Sequence, residues 1–343
     1  MRVLVVQTAF LGDIVLTTPL LRELKRGRPE RHVTVLTTPL GAAVLAGHPF
    51  IDAVLPFDKR GRDRGALGTL RGMRSLRRLG FDAAVAAQRS GRTGLLVAAS
   101  GARPRVGFHG APGRFAYTES VRWDADRHAV HRYLALSAPL GGDPESADPT
   151  PVLAVDDVAR ARVHALLARQ GIGVEDGVVA IAPGSIWGTK RWTPEGFAAV
   201  ARAVLLRGLR PVLVGSPDEA ALCTAIAERA GGSVPVLAGA TGVADLTALL
   251  ARSRALIVND SGPGHVASAV GTPVVAIFGP TVPAFGYTPF GAAHRIVEHP
   301  DLPCRPCDRH GPQVCPLGHH RCMQEIGAER VLGALAEVLK AAD

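Results

Sequence analysis

Short apolar runs, each closing in a turn and giving way to a segment with helical spacing, recur along this chain and constrain its fold more than any other feature. Residues 2–6, RVLVV, lead into DIVLTTPLLRELKRG (13–27), where apolar positions return at three and four. HVTVLTT (32–38) precedes a short helical segment at 39–47, and DAVLPF, DAAVAA and ARPRVGF read as further strands. Continuous apolar strands alternating with helices predict parallel sheets covered on both faces. Residues 141–176 interrupt the rhythm with GGDPESADPTP and one helix ending at Gly171. A second series follows: GVVAIAPGS, a helix capped by Thr193 with Glu195 in its first turn, RPVLVGS, ALIVND and PVVAIFGP. With 343 residues there is enough chain for two cores. The expected division is a first α/β domain over 1–155, a linking helix over 156–176, a second α/β domain over 177–325 and a terminal helix over 326–343.

Charge divides these halves. The net charge of +9 belongs to residues 1–150; the remainder is neutral. Much of the excess lies in KRGRDRGALGTLRGMRSLRR (59–78), eight basic residues against one acid. The plain reading is a solvated helix face and loop. The sharper reading is an electrostatic surface for an anionic partner. No apolar run approaches the ~18 residues of a membrane span, and no leader segment is visible, so the expectation is a cytoplasmic protein with reduced cysteines.

In open parallel sheets ligands bind beyond the carboxyl ends of the strands. The loops there hold the unusual residues. NDSGPGHVAS (259–268) places Asp260 and Ser261 at a strand end, then Gly262, then a helix bearing His265. Free N–H groups at such a helix start suit an anion, a diphosphate above all; the alternative is an ordinary capped turn. PGSIWGTKRW (183–192) offers Ser185, Thr189, Lys190 and Arg191, fixed positive charge for a departing phosphate. Glu219 could accept from a ribose diol, or be a favourable first-turn acid. Thr8 and Asp13 follow the first strand, where Asp13 reads as a general base, a helix N-cap, or both.

The stretches FLGDIVLTTPLLRELK, APGSIWGTKRW, VNDSGPGHVASAVGTPVVAIFGPTVP and CRPCDRHGPQVCPLGHHRCM together resemble the ADP-heptose:lipopolysaccharide heptosyltransferases, glycosyltransferase family nine. The last motif is nearest to members that add the second heptose. The likeness implies an α/β GT-B architecture, two Rossmann-like domains with parallel sheets facing across a cleft. It implies inverting, metal-independent transfer of heptose from ADP-heptose to the heptose/Kdo inner core of lipopolysaccharide, at the cytoplasmic face of the inner membrane. The family's catalytic aspartate falls on Asp13 and its diphosphate lysine on Lys190. Its ribose glutamate falls on Glu219, and its sugar and phosphate loop on Asp260, Ser261, Gly262 and His265. Thr8 alone represents the small hydroxyl residues ahead of the aspartate, since Ala9 and Phe10 stand where the family carries a Ser pair. Arg60, Arg62 and Arg64 are the candidate contacts to the anionic acceptor or membrane surface. Whether the terminal helix returns onto the first half, as GT-B chains often do, is left open by the sequence.

Cys304, Cys307, Cys315 and Cys322 are spaced C-x2-C-x7-C-x6-C, compatible with a structural zinc but also with a compact thiol loop. Catalysis itself needs no cofactor in this reading. Asp124-Ala-Asp126, a string of the kind that holds metal in other transferases, lies away from the donor loops. Two rival readings stand against it. A sugar-nucleotide epimerase would need no basic acceptor half. A nucleic-acid binder is disfavoured because charge and cysteines occupy different halves and aromatics are only 5%.

Overall fold

The computed structural model describes residues 1–341 and divides into two compact units, Met1–Ala154 and a second from Val155 onward. The first unit has strands β1 (Arg2–Gln7), β2 (His32–Thr37), β3 (Ala53–Pro56), β4 (Ala83–Ala86), β5 (Arg105–Phe108) and β6 (Glu119–Val121). Its helices are α1 (Leu11–Leu16), α2 (Thr18–Lys25), α3 (Pro39–Val44), α4 (Gly65–Leu79), α5 (Gly91–Ala99) and α6 (Ala129–Leu134). The sheet is parallel in the order β3-β2-β1-β4-β5-β6, with Val3 opposite Val33 on one side and Ala83 on the other. Leu4, Val6, Phe57, Leu76 and Leu96 build a core on one face.

The second unit has α7 (Asp157–Arg169), then strands β7 (Val178–Ala182), β8 (Arg210–Leu213), β9 (Ala255–Asn259), β10 (Val274–Phe278) and β11 (His294–Glu298). Between and after them come α8 (Pro194–Leu206), α9 (Ala220–Ala230), α10 (Val243–Arg252), α11 (Gly262–Ala269), α12 (Arg321–Gln324) and α13 (Ala328–Lys340). Its parallel order is β11-β10-β9-β7-β8. Both sheets therefore reverse direction of growth beside their first strand. The reversal falls between β1 and β4 in one unit and between β7 and β9 in the other. Such switch points leave a crevice at the strands' carboxyl ends.

Four features differ from expectation. The helix anticipated over 13–27 breaks at Thr17, because Pro19 has no N–H with which to continue it. The Thr18 hydroxyl instead donates to the Val15 carbonyl at 2.8 Å. Strands β6 and β11 were not anticipated, and neither was α6. The terminal helix α13 sets Val331, Leu335 and Val338 into the second unit's own core beside Trp192 and Met323.

Candidate active site

The second unit's switch point gathers most of the donor residues proposed from sequence. Asn259, the last residue of β9, donates from Nδ2 to the Pro183 carbonyl at 2.8 Å and accepts from the Trp192 N–H at 3.0 Å. These bonds pin the loop after β7 to the end of β9. They bring Lys190 Nζ to 2.6 Å from Asp260 Oδ2, both side chains only 11% exposed. Thr281 Oγ1, after β10, donates to the same carboxylate oxygen at 2.6 Å. Ser185 is buried and accepts from the Trp187 N–H. Arg191 is exposed and donates to the Ser185 carbonyl.

Helix α11 begins at Gly262, and Ser261 precedes it in extended conformation. Ser261 Oγ, His265 Nδ1 and Ser268 Oγ are buried without a hydrogen-bond partner. A buried polar atom left so costs about 1–3 kcal/mol, and two of the three, on Ser261 and His265, lie near the helix start, where a polyanion would satisfy them. Burial lowers the His265 pKa to about 4; Asp260 opposes this and Lys190 adds to it. The imidazole is therefore neutral at physiological pH. Glu219 ends a short 3-10 turn after β8 and accepts from the Ser216 N–H at 2.8 Å, a first-turn acid that also closes a capping box. Its carboxylate also lies against Gly184, where a Cβ would collide with Oε1.

The cysteine segment serves this loop in a way sequence spacing does not reveal. The Pro312 carbonyl accepts from the N–H and the hydroxyl of Thr189. Gln313 accepts from the Gly188 N–H and donates to the Ile186 carbonyl, both at 3.0 Å. His320 Nε2 donates to the Thr189 carbonyl at 2.7 Å. His320 is left-handed, with φ of +45°, a conformation that costs a non-glycine residue about 1–3 kcal/mol. The zinc reading of this segment finds no support: among the described residues no group of three His, Cys, Asp or Glu side chains stands where it could hold a metal ion. Cys322 turns into the hydrophobic core, while Cys307 is exposed and donates to the Cys304 carbonyl. Asp124 and Asp126 form only a local turn, the Asp124 carboxylate accepting from the Asp126 N–H.

In the first unit, Thr8 follows β1 and donates to Gln88 Oε1, after β4, at 2.6 Å, closing that switch point. Asp13 is not an N-cap: Phe10 occupies that position and Asp13 stands in the first turn of α1. Its Oδ1 accepts from Tyr133 Oη at 2.7 Å. Lys59 donates to the Thr8 carbonyl. Burial lowers the Lys59 pKa, Arg60 and Arg92 add to that, and Asp13 opposes them. Arg60, Arg62 and Arg64 lie exposed between β3 and α4. Arg60 stacks over Phe10, and Arg62 stands 3.4 Å from Asp63. Gln88 and Tyr133 were missed from sequence, and Lys59 was read only as part of the basic 59–78 segment. Gln88 had a signal, being a polar residue at a strand's carboxyl end; Tyr133 had none.

The model of glycosyltransferase family 9 (heptosyltransferase) matches residues 69–316. The chain belongs to this family. It is 29% identical to lipopolysaccharide heptosyltransferase 3 of Escherichia coli K12 over 79% of this chain and 80% of that one. It is 26% identical to lipooligosaccharide heptosyltransferase 2 of Haemophilus influenzae Rd over 99% of both. The solved structure of a family 9 glycosyltransferase from Veillonella parvula superposes with a TM-score of 0.90 at 27% identity, covering 99% and 97% of the two chains. This family 9 glycosyltransferase thus carries the α/β GT-B fold expected from its sequence. Among its described residues no helix is long and apolar enough to cross a membrane.

Proposed function

We propose that this enzyme transfers L-glycero-D-manno-heptose from ADP-heptose to the phosphorylated inner core of lipopolysaccharide, with inversion at the anomeric carbon. The observation that carries the donor half of this reading is the Lys190–Asp260 pair at the β7/β9 switch point, beside the unpartnered Ser261 and His265. The ADP diphosphate sits at the start of α11, with the Gly262 backbone leaving it room. Lys190 meets the charge that grows as the C–O bond breaks. Glu219 receives the ribose hydroxyls. The acceptor hydroxyl has a pKa far above neutrality, so its proton must leave as the new bond forms, and Asp13 takes it. Attack opposite the departing ADP inverts the centre.

The acceptor is anionic, and Arg60, Arg62 and Arg64 supply charge for it. Helix α4 adds Arg71, Arg74, Arg77 and Arg78, and leaves Leu67 79% exposed, so the same surface suits an anionic membrane leaflet. Similarity at 29% to a heptosyltransferase 3 and 26% to a heptosyltransferase 2 supports the donor more than the acceptor position. The second heptose, as the cysteine motif suggests, is the reading taken; addition of the first is the alternative. The test is ADP release from ADP-heptose with core acceptors that carry or lack the first heptose. Release should require the heptose-bearing core. Asp13→Asn should lose at least ~100-fold in turnover while binding donor normally. Release only with the core lacking heptose moves the assignment to the first transfer. No release with either acceptor refutes the donor.

A further inference from the structure

Tyr133 lies more than a hundred residues from Asp13 and outside every donor loop, yet its hydroxyl is the group that meets the Asp13 carboxylate. We propose that Tyr133 is the positioning residue for Asp13, an inference that rests on Asp13 being the base. The bond is 2.7 Å from Oη to Oδ1, short as charge-assisted hydrogen bonds are, and an ionised carboxylate can only accept, so the phenol donates.

The phenol is held by a stack that leaves it little freedom. Tyr133 is 3% exposed, and its ring leans on Phe108 at 6.5 Å between centroids. Phe108 meets Trp123 edge-on at 4.8 Å. Two guanidinium groups lie over the Trp123 ring, Arg89 at 4.6 Å and Arg132 at 4.8 Å from its centroid. Arg132, itself buried, donates to the Arg127 carbonyl at 2.7 Å and so ties α6 to the segment before it. Strand β5, the Trp123 segment and α6 thus deliver one hydroxyl to one oxygen. A structural tyrosine on α6 could have turned its hydroxyl to solvent or a backbone carbonyl; this one reaches the first turn of α1.

The consequence is orientation. A base must present a lone pair along the path of the departing proton, and one fixed bond to Oδ1 sets the plane of the carboxylate. It also favours the charged form. Lys59, from the loop after β3, is a charged group that faces Asp13, with Arg60 and Arg92 near it.

The test compares Tyr133→Phe, Asp13→Asn and the double variant in donor binding, thermal midpoint and the pH profile of kcat. Tyr133→Phe keeps the ring and removes the hydroxyl. It should lower kcat about 10- to 100-fold, the range of one hydrogen bond to a charged group. KM for the sugar nucleotide should change less than about twofold, as for an interaction made only in the transition state. The acid limb should move to higher pH. Added to Asp13→Asn, Tyr133→Phe should cost nothing further. If Asp13→Asn is crippled while Tyr133→Phe keeps the wild-type kcat and pH profile, the positioning role is wrong and the base reading stands. If Asp13→Asn retains wild-type turnover, the base reading falls, and this inference with it. Should Tyr133→Phe not fold, 3-fluorotyrosine at position 133 keeps the shape and strengthens the donor. An acid limb moved to lower pH supports the role, and an unmoved one overturns it.

Discussion

His265 shows how one residue joins chemistry to stability. Unfolded, it takes up a proton near pH 6.5; folded, not until about 4. Between those values the unfolded chain binds more protons than the folded one, so stability is intact above 6.5 and falls as the pH drops through the window, by about 3 kcal/mol in all. His48, buried in the first unit and also lowered to about 4 by its burial, acts in the same direction. His265→Gln should flatten part of this acid slope, read as urea midpoints across the window; an unchanged slope would show the imidazole is not held neutral. Asp260 and His265 could be located at the end of β9 and on α11 from the motif, because a strand, a glycine turn and a helix start are local events, whereas Lys190 comes from the loop after β7 and meets Asp260 only in the fold. Asp13 was singled out too, but its partner was invisible. Tyr133 reaches it through tertiary packing, which no spacing records.

Among the elements, those with strong apolar periodicity were readable and those at the margins were not. Strands β6 and β11, ESV and HRIVE, lie at sheet edges, where charged residues discourage pairing with other chains and erase the alternation a strand shows. The helix break at Thr17 turned on Pro19, which sequence reading passed over. Helix α13 was recognised as a helix but its partner was not, since an apolar stripe does not name the surface it covers. Leu335 sits at the centre of that stripe, fully buried. Leu335→Ala should cost about 2–5 kcal/mol, seen as a lower urea midpoint in the fluorescence of Trp192, which shares its core. A loss under about 1 kcal/mol would mean the helix is peripheral to that core.

Across the whole molecule, charge and topology divide the work. The donor loops belong to the neutral unit with the β11-β10-β9-β7-β8 sheet, and the excess positive charge to the unit with the β3-β2-β1-β4-β5-β6 sheet. Two α/β halves were readable from rhythm alone. That their sheets are wound in different orders was not, because strand order depends on which side of the first strand each crossover returns. The charge asymmetry gives its own expectation. Reversing Arg60, Arg62 and Arg64 to Glu should raise the acceptor KM and abolish its salt dependence while leaving the ADP-heptose KM unchanged. Steady-state kinetics over a salt series would decide it, and an unaltered acceptor KM would remove the patch from the reaction.

The strap formed by residues 312–320 carries a further consequence. Burial works against ionisation of Cys315, but the N–H groups of His320, Leu317, Gly318 and His319 outweigh it and hold the thiol below its usual range. Cys322, by contrast, is pushed up to about 11 by burial. The thiol held in its ionisable range therefore lies in the segment whose His320 and Pro312 grip Thr189, next to Lys190, so whatever charge Cys315 carries is set by the same backbone turn that fixes that loop.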